Sequence, residues 1–259
     1  MIHLTSAQME AWLAAFAWPL TRILALIASA PVIGNPSVPV SVKIGLGLLL
    51  TVLVAPLVPG PLGISPGSAN GLLIMAQQVL IGLAMGFGMH VVFHAAELAG
   101  ELIGLQMGLG FATLYDASVP GFIPVLGQYL GVIFSLAFLA IDGHLLVVSA
   151  VVESFQVFPL SPVAAPAGVF AVAQWGGSIF AFALTLSLPL LAALLITNLA
   201  LGVLTRAAPQ LNIFAIGFPL TILMGFAVLI VALPFLAPVI ERQFAESLAA
   251  MLRLAGALR

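Results

Sequence analysis

Apolar stretches long enough to cross a bilayer recur along this chain. A membrane-spanning helix needs about 20 mostly apolar residues, and the sequence offers about six such segments. Apolar residues make up 63% of the sequence and charged residues only 5%, whereas about a quarter of the residues in a soluble domain are charged. Because helices bond their own backbone polar groups inside the bilayer, these segments predict an all-α membrane protein.

Prolines and glycines separate the apolar segments. We place the segments at residues 11–30, 40–58, from 71 onward, 125–141, 174–201 and 213–239, with a shorter apolar run at 145–158. Pro189 lies inside the fifth segment, and Pro219 and Pro234 lie inside the sixth, so we expect both helices to be kinked or broken. Residues 241–259 mix arginine and glutamate with leucine and alanine, which predicts an amphipathic tail lying along a surface.

The few charges exclude several classes of function. Six basic and eight acidic residues give a formal net charge of −2, and no basic run is present, so nucleic acid is not an expected partner. The absence of cysteine excludes disulfides, zinc–thiolate sites and thiol catalysis.

Arg22 lies within the first apolar segment. It either extends to the membrane interface or is buried against a carboxylate of a neighbouring helix.

A polar, glycine-rich stretch, residues 90–124, interrupts the apolar sequence. Four polar residues in its first part are spaced i, i+4, i+7 and i+11, which places them on one face of a helix: His90, His94, Glu97 and Glu101. We call these four residues the polar stripe. Imidazole and carboxylate groups at this spacing could bind a metal ion. The alternative, which we favour because no His-Glu-x-x-His core is present, is a hydrated or inter-subunit polar surface.

Small residues recur every four positions in and before this stretch: Gly82 and Gly86, then Ala96, Gly100, Gly104 and Gly108. Such spacing lets helices approach closely in lipid. Beyond Gly108, glycines and prolines predict a non-helical segment that reaches residue 124 and carries bulky apolar side chains. At membrane depth such a segment needs protein or water around its backbone, which favours a plug or gating function.

Three runs of sequence carry a resemblance to a known family. They are TRAAPQLNIFAIGFPL at residues 205–220, GELIGLQMGLGFATLYD at 100–116 and DGHLLVVSAVVESF at 142–155. Together they resemble the FliR family of flagellar type III secretion export-gate proteins, whose injectisome counterpart is SctT. The similarity extends over nearly the whole chain.

The resemblance implies a subunit that is not an enzyme and holds no cofactor or metal. FliR-like proteins join several copies of FliP and FliQ, with FlhB and FlhA-like subunits alongside, in the bacterial inner membrane at the flagellar basal body. Unfolded flagellar subunits pass through the centre of that gate. For this chain the resemblance implies one multi-pass domain over residues 1–259 made of tilted, broken hairpins. Residues 1–170 would be FliP-like, 174–240 a FliQ-like hairpin, and 241–259 the tail.

Two sets of site residues follow, from the resemblance and, for Gly100 and Gly104, from the spacing of small residues. The first set would line or seal the closed pore, in a plug segment near residues 108–124: Met107, Gly108, Gly110, Phe111, Tyr115, Asp116 and Phe122. The second set belongs to inter-subunit packing and the family motif: Gly100, Gly104, Arg206, Pro209, Gln210, Asn212, Gly217 and Pro219. The family usually has Asp-Pro where this chain has Asp116-Ala117, so we expect a less rigid turn there.

Two functions from other classes are alternatives to this one. A secondary transporter with broken helices and a buried His/Glu site would show a repeated half, and the sequence has no such repeat. An intramembrane hydrolase would need a nucleophile or a metal core. The serines of this chain lack the glycine-flanked turn of a nucleophile elbow, which leaves the polar stripe as its metal candidate.

Overall fold

The computed structural model describes residues 6–58, 64–110, 124–158, 160, 167–208 and 213–258. Within these ranges the chain forms α-helices and one 3₁₀ turn (Ala55–Leu57), with no β-strand. The helices are α1 (Ser6–Ser29), α2 (Val40–Val54), α3 (Ala69–Gln106), α4 (Val125–Ala140), α5 (Gly143–Val157), α6 (Ala167–Ala207) and α7 (Ile213–Ala257).

The helices match the membrane protein that the sequence predicts. Five stretches are long and apolar enough to cross a membrane: α1, α2 with the 3₁₀ turn, α3, α6 and α7. Helices α4 and α5 form a bent pair that counts as a sixth if it is one span. The all-α membrane class and the count of about six apolar helical segments are therefore confirmed.

Prolines do not break α6 or α7, although the sequence predicts that both helices are kinked or broken. Helix α6 continues through Pro189, and α7 continues through Pro219, Pro234 and Pro238, so neither is broken. A proline removes one N–H donor and crowds one carbonyl, a local disturbance that a long helix can absorb by bending. The chain does break between α4 and α5, where the sequence separates the segment 125–141 from the run 145–158, and Asp142 at this point has φ of 55°, in the left-handed region.

The contacts divide the chain into two compact units that do not follow the order of the sequence. Unit 1 comprises Met1–Val91, Asp142–Gly177 and Phe244–Arg259. Unit 2 comprises Val92–Ile141 and Ser178–Gln243. The long helices α3, α6 and α7 each contribute residues to both units, whereas α1, α2 and α5 belong to unit 1 and α4 belongs to unit 2.

Arg22 lies at the centre of unit 1, and neither sequence-based alternative describes it. The side chain is fully buried, so it does not extend to an interface. Its Nε donates to Gln78 Oε1 at 2.7 Å and its Nη1 donates to Ser154 Oγ at 3.0 Å. In the described part of the chain no carboxylate pairs with it. The charge is stabilised instead by neutral acceptors and by the ring of Phe155, 4.0 Å away, which joins α1, α3 and α5.

The glycines of α3 in unit 1 lie against α1. A Cβ added at Gly82 would lie 2.8 Å from Ala25 Cβ, and one added at Gly86 would lie 2.8 Å from the carbonyl carbon of Ser29. Real Cβ atoms are almost never found this close to other atoms. The two backbones therefore approach as the four-residue spacing of small residues predicts.

The amphipathic tail is not a separate element, because α7 continues through it to Ala257. Its charged residues Arg242, Glu246 and Arg253 are exposed, and its apolar face is buried against other parts of unit 1. The side chain of Met251 lies within 3.5 Å of the position that a Cβ at Gly88 would occupy. The apolar face of the tail therefore contacts the protein itself.

Candidate functional site

The candidate site is the C-terminal end of α3, which lies in the core of unit 2. Seven buried apolar residues form this core. Six come from α3, α4, α6 and α7, and the seventh, Met107, comes from the turn after α3: Ile103, Met107, Leu126, Leu130, Leu190, Leu194 and Leu229. Met107 is completely buried. The end of α3 is thus held by side chains from three other helices of the same unit.

Helix α3 stops two residues before the point at which the sequence predicts loss of helix. After Gln106 the chain turns: Met107 N donates to Ile103 O at 2.9 Å, and Gly108 N donates to Leu105 O at 3.0 Å. Gly108 has φ of 84°, a conformation that glycine adopts without the steric cost that a Cβ imposes. Gly110 is half-buried in the turns that follow. The other predicted plug residues lie outside the described residues: Phe111, Tyr115, Asp116 and Phe122.

One face of α7 contacts this turn through three residues spaced i, i+3 and i+7. Thr221 Oγ1 lies 3.2 Å from Met107 O. A Cβ added at Gly225 would lie 2.6 Å from both Sδ and Cε of Met107, and one added at Gly108 would lie 3.2 Å from the ring of Phe218. We call these five residues the α3–α7 contact.

Sequence reasoning did not find Phe218, Thr221 or Gly225. Thr221 is 114 residues from Met107 along the chain. Patterns among neighbouring residues in the sequence cannot predict a contact at that separation. The one available signal was Gly225 itself, because a glycine within an apolar helix often marks a close approach of another backbone or side chain.

A cavity of about 380 Å³ borders the α3–α7 contact. Its lining comes from the end of α3, the last turns of α6 and the start of α7: Leu105, Gln106, Met107, Gly108, Asn198, Leu201, Gly202, Gly217, Phe218 and Thr221. Most of the lining is apolar, with the amides of Gln106 and Asn198 among its polar groups. The turn after α3 therefore has open space on one side and packed side chains on the other.

The polar stripe lies on one continuous helix, because α3 runs unbroken from Ala69 to Gln106. Of its members in unit 2, His94 and Glu97 are each about half exposed, and His94 Nδ1 lies 3.1 Å from Glu97 Oε2. Glu101 is half-buried one turn further on. Among the described residues, no group of three or more His, Asp or Glu side chains could hold a metal ion. His90, one turn before His94, is half-buried like Glu101, so the polar stripe is only partly exposed.

The two packing glycines of α3 in unit 2 differ in their surroundings. A Cβ at Gly100 would lie 2.6 Å from Leu126 O and from Gly127 Cα, both backbone atoms of α4. A Cβ at Gly104 would lie 3.6 Å from Leu126 Cβ and 3.7 Å from Leu109 Cδ1, which are ordinary contacts. Gly100 is therefore the position at which the α3 and α4 backbones approach most closely.

Comparison with known proteins assigns the chain to a family. Residues 13–247 match the family described as "Bacterial export proteins, family 1". A flagellar biosynthetic protein FliR of Pectobacterium carotovorum subsp. carotovorum is 44% identical over 249 residues, covering 95% of this chain and 94% of the relative. The chain belongs to the FliR family. FliR proteins of Escherichia coli (strain K12) and Bacillus subtilis (strain 168) are 42% and 28% identical, over 95% and 92% of the chain.

The FliR motif around residues 205–220 is described only in part. Arg206 is exposed in the last turn of α6. Gly217 is buried in the first turns of α7, and Pro219 is exposed nearby. The remaining motif residues, Pro209, Gln210 and Asn212, lie outside the described residues.

Proposed function

We propose that this chain is a core subunit of the flagellar type III protein export gate in the bacterial inner membrane. The observation that carries the proposal is its full-length relationship to proteins named flagellar biosynthetic protein FliR, at 44% and 42% identity over 95% of the chain. Five stretches long and apolar enough to cross a membrane support a multi-pass location. The proposed role is non-enzymatic, with no cofactor, and its cargo is unfolded flagellar subunits.

The proposed partners are FliP, FliQ and the FlhB- and FlhA-like subunits, with membrane lipid around the assembly. Helices α6 and α7 support this because they expose large apolar side chains along their length. Each of the following is more than half exposed: Phe180, Leu195, Ile196, Leu199, Leu223, Ile230, Val231 and Phe235. Such surfaces are suited to lipid or to the apolar helices of sister subunits.

The proposed closing segment is residues 108–124, between α3 and α4. Two observations support a defined position for its ends. The α3–α7 contact holds the turn at Met107 and Gly108, and the start of α4 lies against α3, where a Cβ at Gly127 would be 2.7 Å from Glu97 O. The helices that flank the segment therefore pack closely at its two ends, which supports the proposed closing role.

For the polar stripe we propose a water-facing or inter-subunit surface. The half-exposed pair His94–Glu97 supports this, because ionisable groups on a membrane helix are expensive in contact with lipid. A polar neighbour, from water in the channel or from a sister subunit, removes that cost.

The direct test is purification of the tagged full-length chain from cells that also express FliP and FliQ of the same organism. We expect a complex containing all three in mild detergent. The matched control is the same preparation lacking FliP, from which the complex should be absent. Recovery of the chain as a stable monomer, with both sister proteins present in the same membranes, would contradict the proposal.

A further inference from the structure

We propose that Thr221, assisted by Phe218 and Gly225, is a positioning residue that fixes the point at which the chain leaves α3. The inference rests on the proposed function, because it assigns to α7 the control of where the closing segment begins. Thr221 itself is not part of that segment. It acts from a different helix, through Met107 and Gly108.

The hydrogen bond at Thr221 satisfies a group that α3 cannot satisfy itself. The carbonyls at the end of a helix lack partners within the helix, and burying one without a donor is costly. Met107 is completely buried, and Thr221 Oγ1 lies 3.2 Å from its carbonyl oxygen. This bond therefore favours the conformation in which the turn after α3 lies against α7.

The same hydroxyl has a second, nearer acceptor, so two carbonyl oxygens share its one proton. Thr221 Oγ1 also lies 2.9 Å from Phe218 O within α7, and a hydroxyl carries a single proton. When the turn moves away, the hydroxyl keeps its bond to Phe218 O, so no donor is left buried without a partner. The cavity of about 380 Å³ beside Met107 and Gly108 offers space for such a movement.

The two packing contacts on either side of the hydrogen bond set its geometry. Gly225 leaves room for the side chain of Met107, since a Cβ there would lie 2.6 Å from Met107 Sδ. Phe218 lies against Gly108 at the left-handed turn, where a Cβ would lie 3.2 Å from the ring. The backbone carbonyl of Met107 is thus held between two fixed contacts.

The test uses the absence of cysteine from the sequence. Leu109→Cys places one thiol in the half-buried turn directly after the contact. Its rate of maleimide labelling is measured on the full chain in membranes of cells that express the complete export gate. In this background, Thr221→Val removes the hydroxyl at nearly constant volume. We expect labelling to become about two- to tenfold faster, the equilibrium change that one such hydrogen bond produces.

Three further variants make the result specific. Thr221→Ser keeps the hydroxyl and should label like the parent. Thr197→Val is the matched control, because among the described residues the Thr197 hydroxyl bonds only Ala193 O of its own helix α6, at 3.0 Å, and it should also label like the parent. Gly225→Ala displaces the Met107 side chain without removing any polar group, and should accelerate labelling.

The ion leak through the gate is measured in the same membranes, at equal yield of assembled complex. Faster labelling and a larger leak in Thr221→Val, with neither in Thr197→Val, support the positioning role. Equal labelling of the two valine variants overturns it, whatever the leak. Faster labelling without any leak supports the contact at Thr221 and instead contradicts the proposed closing role of residues 108–124.

Discussion

Replacing Gly100 with alanine tests the close packing of α3 on α4. The added Cβ would lie 2.6 Å from Leu126 O and from Gly127 Cα. Both are backbone atoms, so no side-chain rotation relieves the overlap. An ordinary contact begins near 3.4 Å, and the two helices would therefore have to separate by about 0.8 Å at this point.

The expected change in the free energy of unfolding of Gly100→Ala follows from two opposing effects. Forcing one extra carbon into a packed interior costs about 1–3 kcal/mol. Alanine is favoured over glycine within a helix by about 1 kcal/mol. Because the obstructing atoms are backbone, we take the upper part of the first range and expect Gly100→Ala to lower the free energy of unfolding by about 1–2 kcal/mol.

Gly104→Ala is the matched control, one turn along the same helix. Its Cβ would make ordinary contacts of 3.6 and 3.7 Å with two leucine side chains, so only the helix preference remains, and we expect a gain of up to about 1 kcal/mol. The assay is the thermal midpoint of each purified chain in mild detergent. Equal midpoints, or a lower midpoint for Gly104→Ala, would refute the packing argument.

The larger change Gly104→Leu is expected to prevent assembly, and recovery of intact complex with FliP and FliQ counts against that expectation.

Three further changes have defined outcomes. Arg22→Ala leaves the buried Oε1 of Gln78 without its donor and should destabilise the chain by about 3 kcal/mol. Arg206→Ala, at an exposed position, is the control, and an equal fall in thermal midpoint for both variants would contradict the structural role of Arg22. Deleting residues 111–122 should increase the ion leak of cells that express the full gate, and an unchanged leak removes the plug assignment. Changing His90 and His94 together to Gln should spare motility; loss of motility with normal assembly would favour the metal alternative.

The sequence predicts those features of the fold that depend on neighbouring residues. Hydropathy over windows of about 20 residues is a local property, and it identifies the membrane helices. The end of α3 is also local, because glycines accumulate there and helix preference falls. The spacing of Gly82 and Gly86 predicts that another backbone lies close to α3, and α1 lies there. It does not predict which helix that is.

The partners of buried polar groups could not be predicted in this way. The sequence predicts either that Arg22 extends to the membrane interface or that it is buried against a carboxylate. Its acceptors are instead Gln78, Ser154 and the carbonyl of Phe158, 56, 132 and 136 residues away. Neutral amides and hydroxyls are frequent along the chain, so none of them stands out as the partner. Thr221 is a similar case, since its contact with Met107 becomes visible only when α3 and α7 are packed together.

The contrast between Arg22 and the pair His94–Glu97 bears on whether the chain acts alone. Arg22 is fully buried in unit 1, where it donates three hydrogen bonds, to Gln78, Ser154 and the carbonyl of Phe158. His94 and Glu97 lie on a membrane-length helix and remain about half exposed. Exposed ionisable groups at membrane depth are unfavourable in lipid, so this surface needs water or another protein beside it. The chain therefore buries one charge in its own interior and leaves this pair to water or to a neighbouring protein, which is consistent with the proposed role in an export gate.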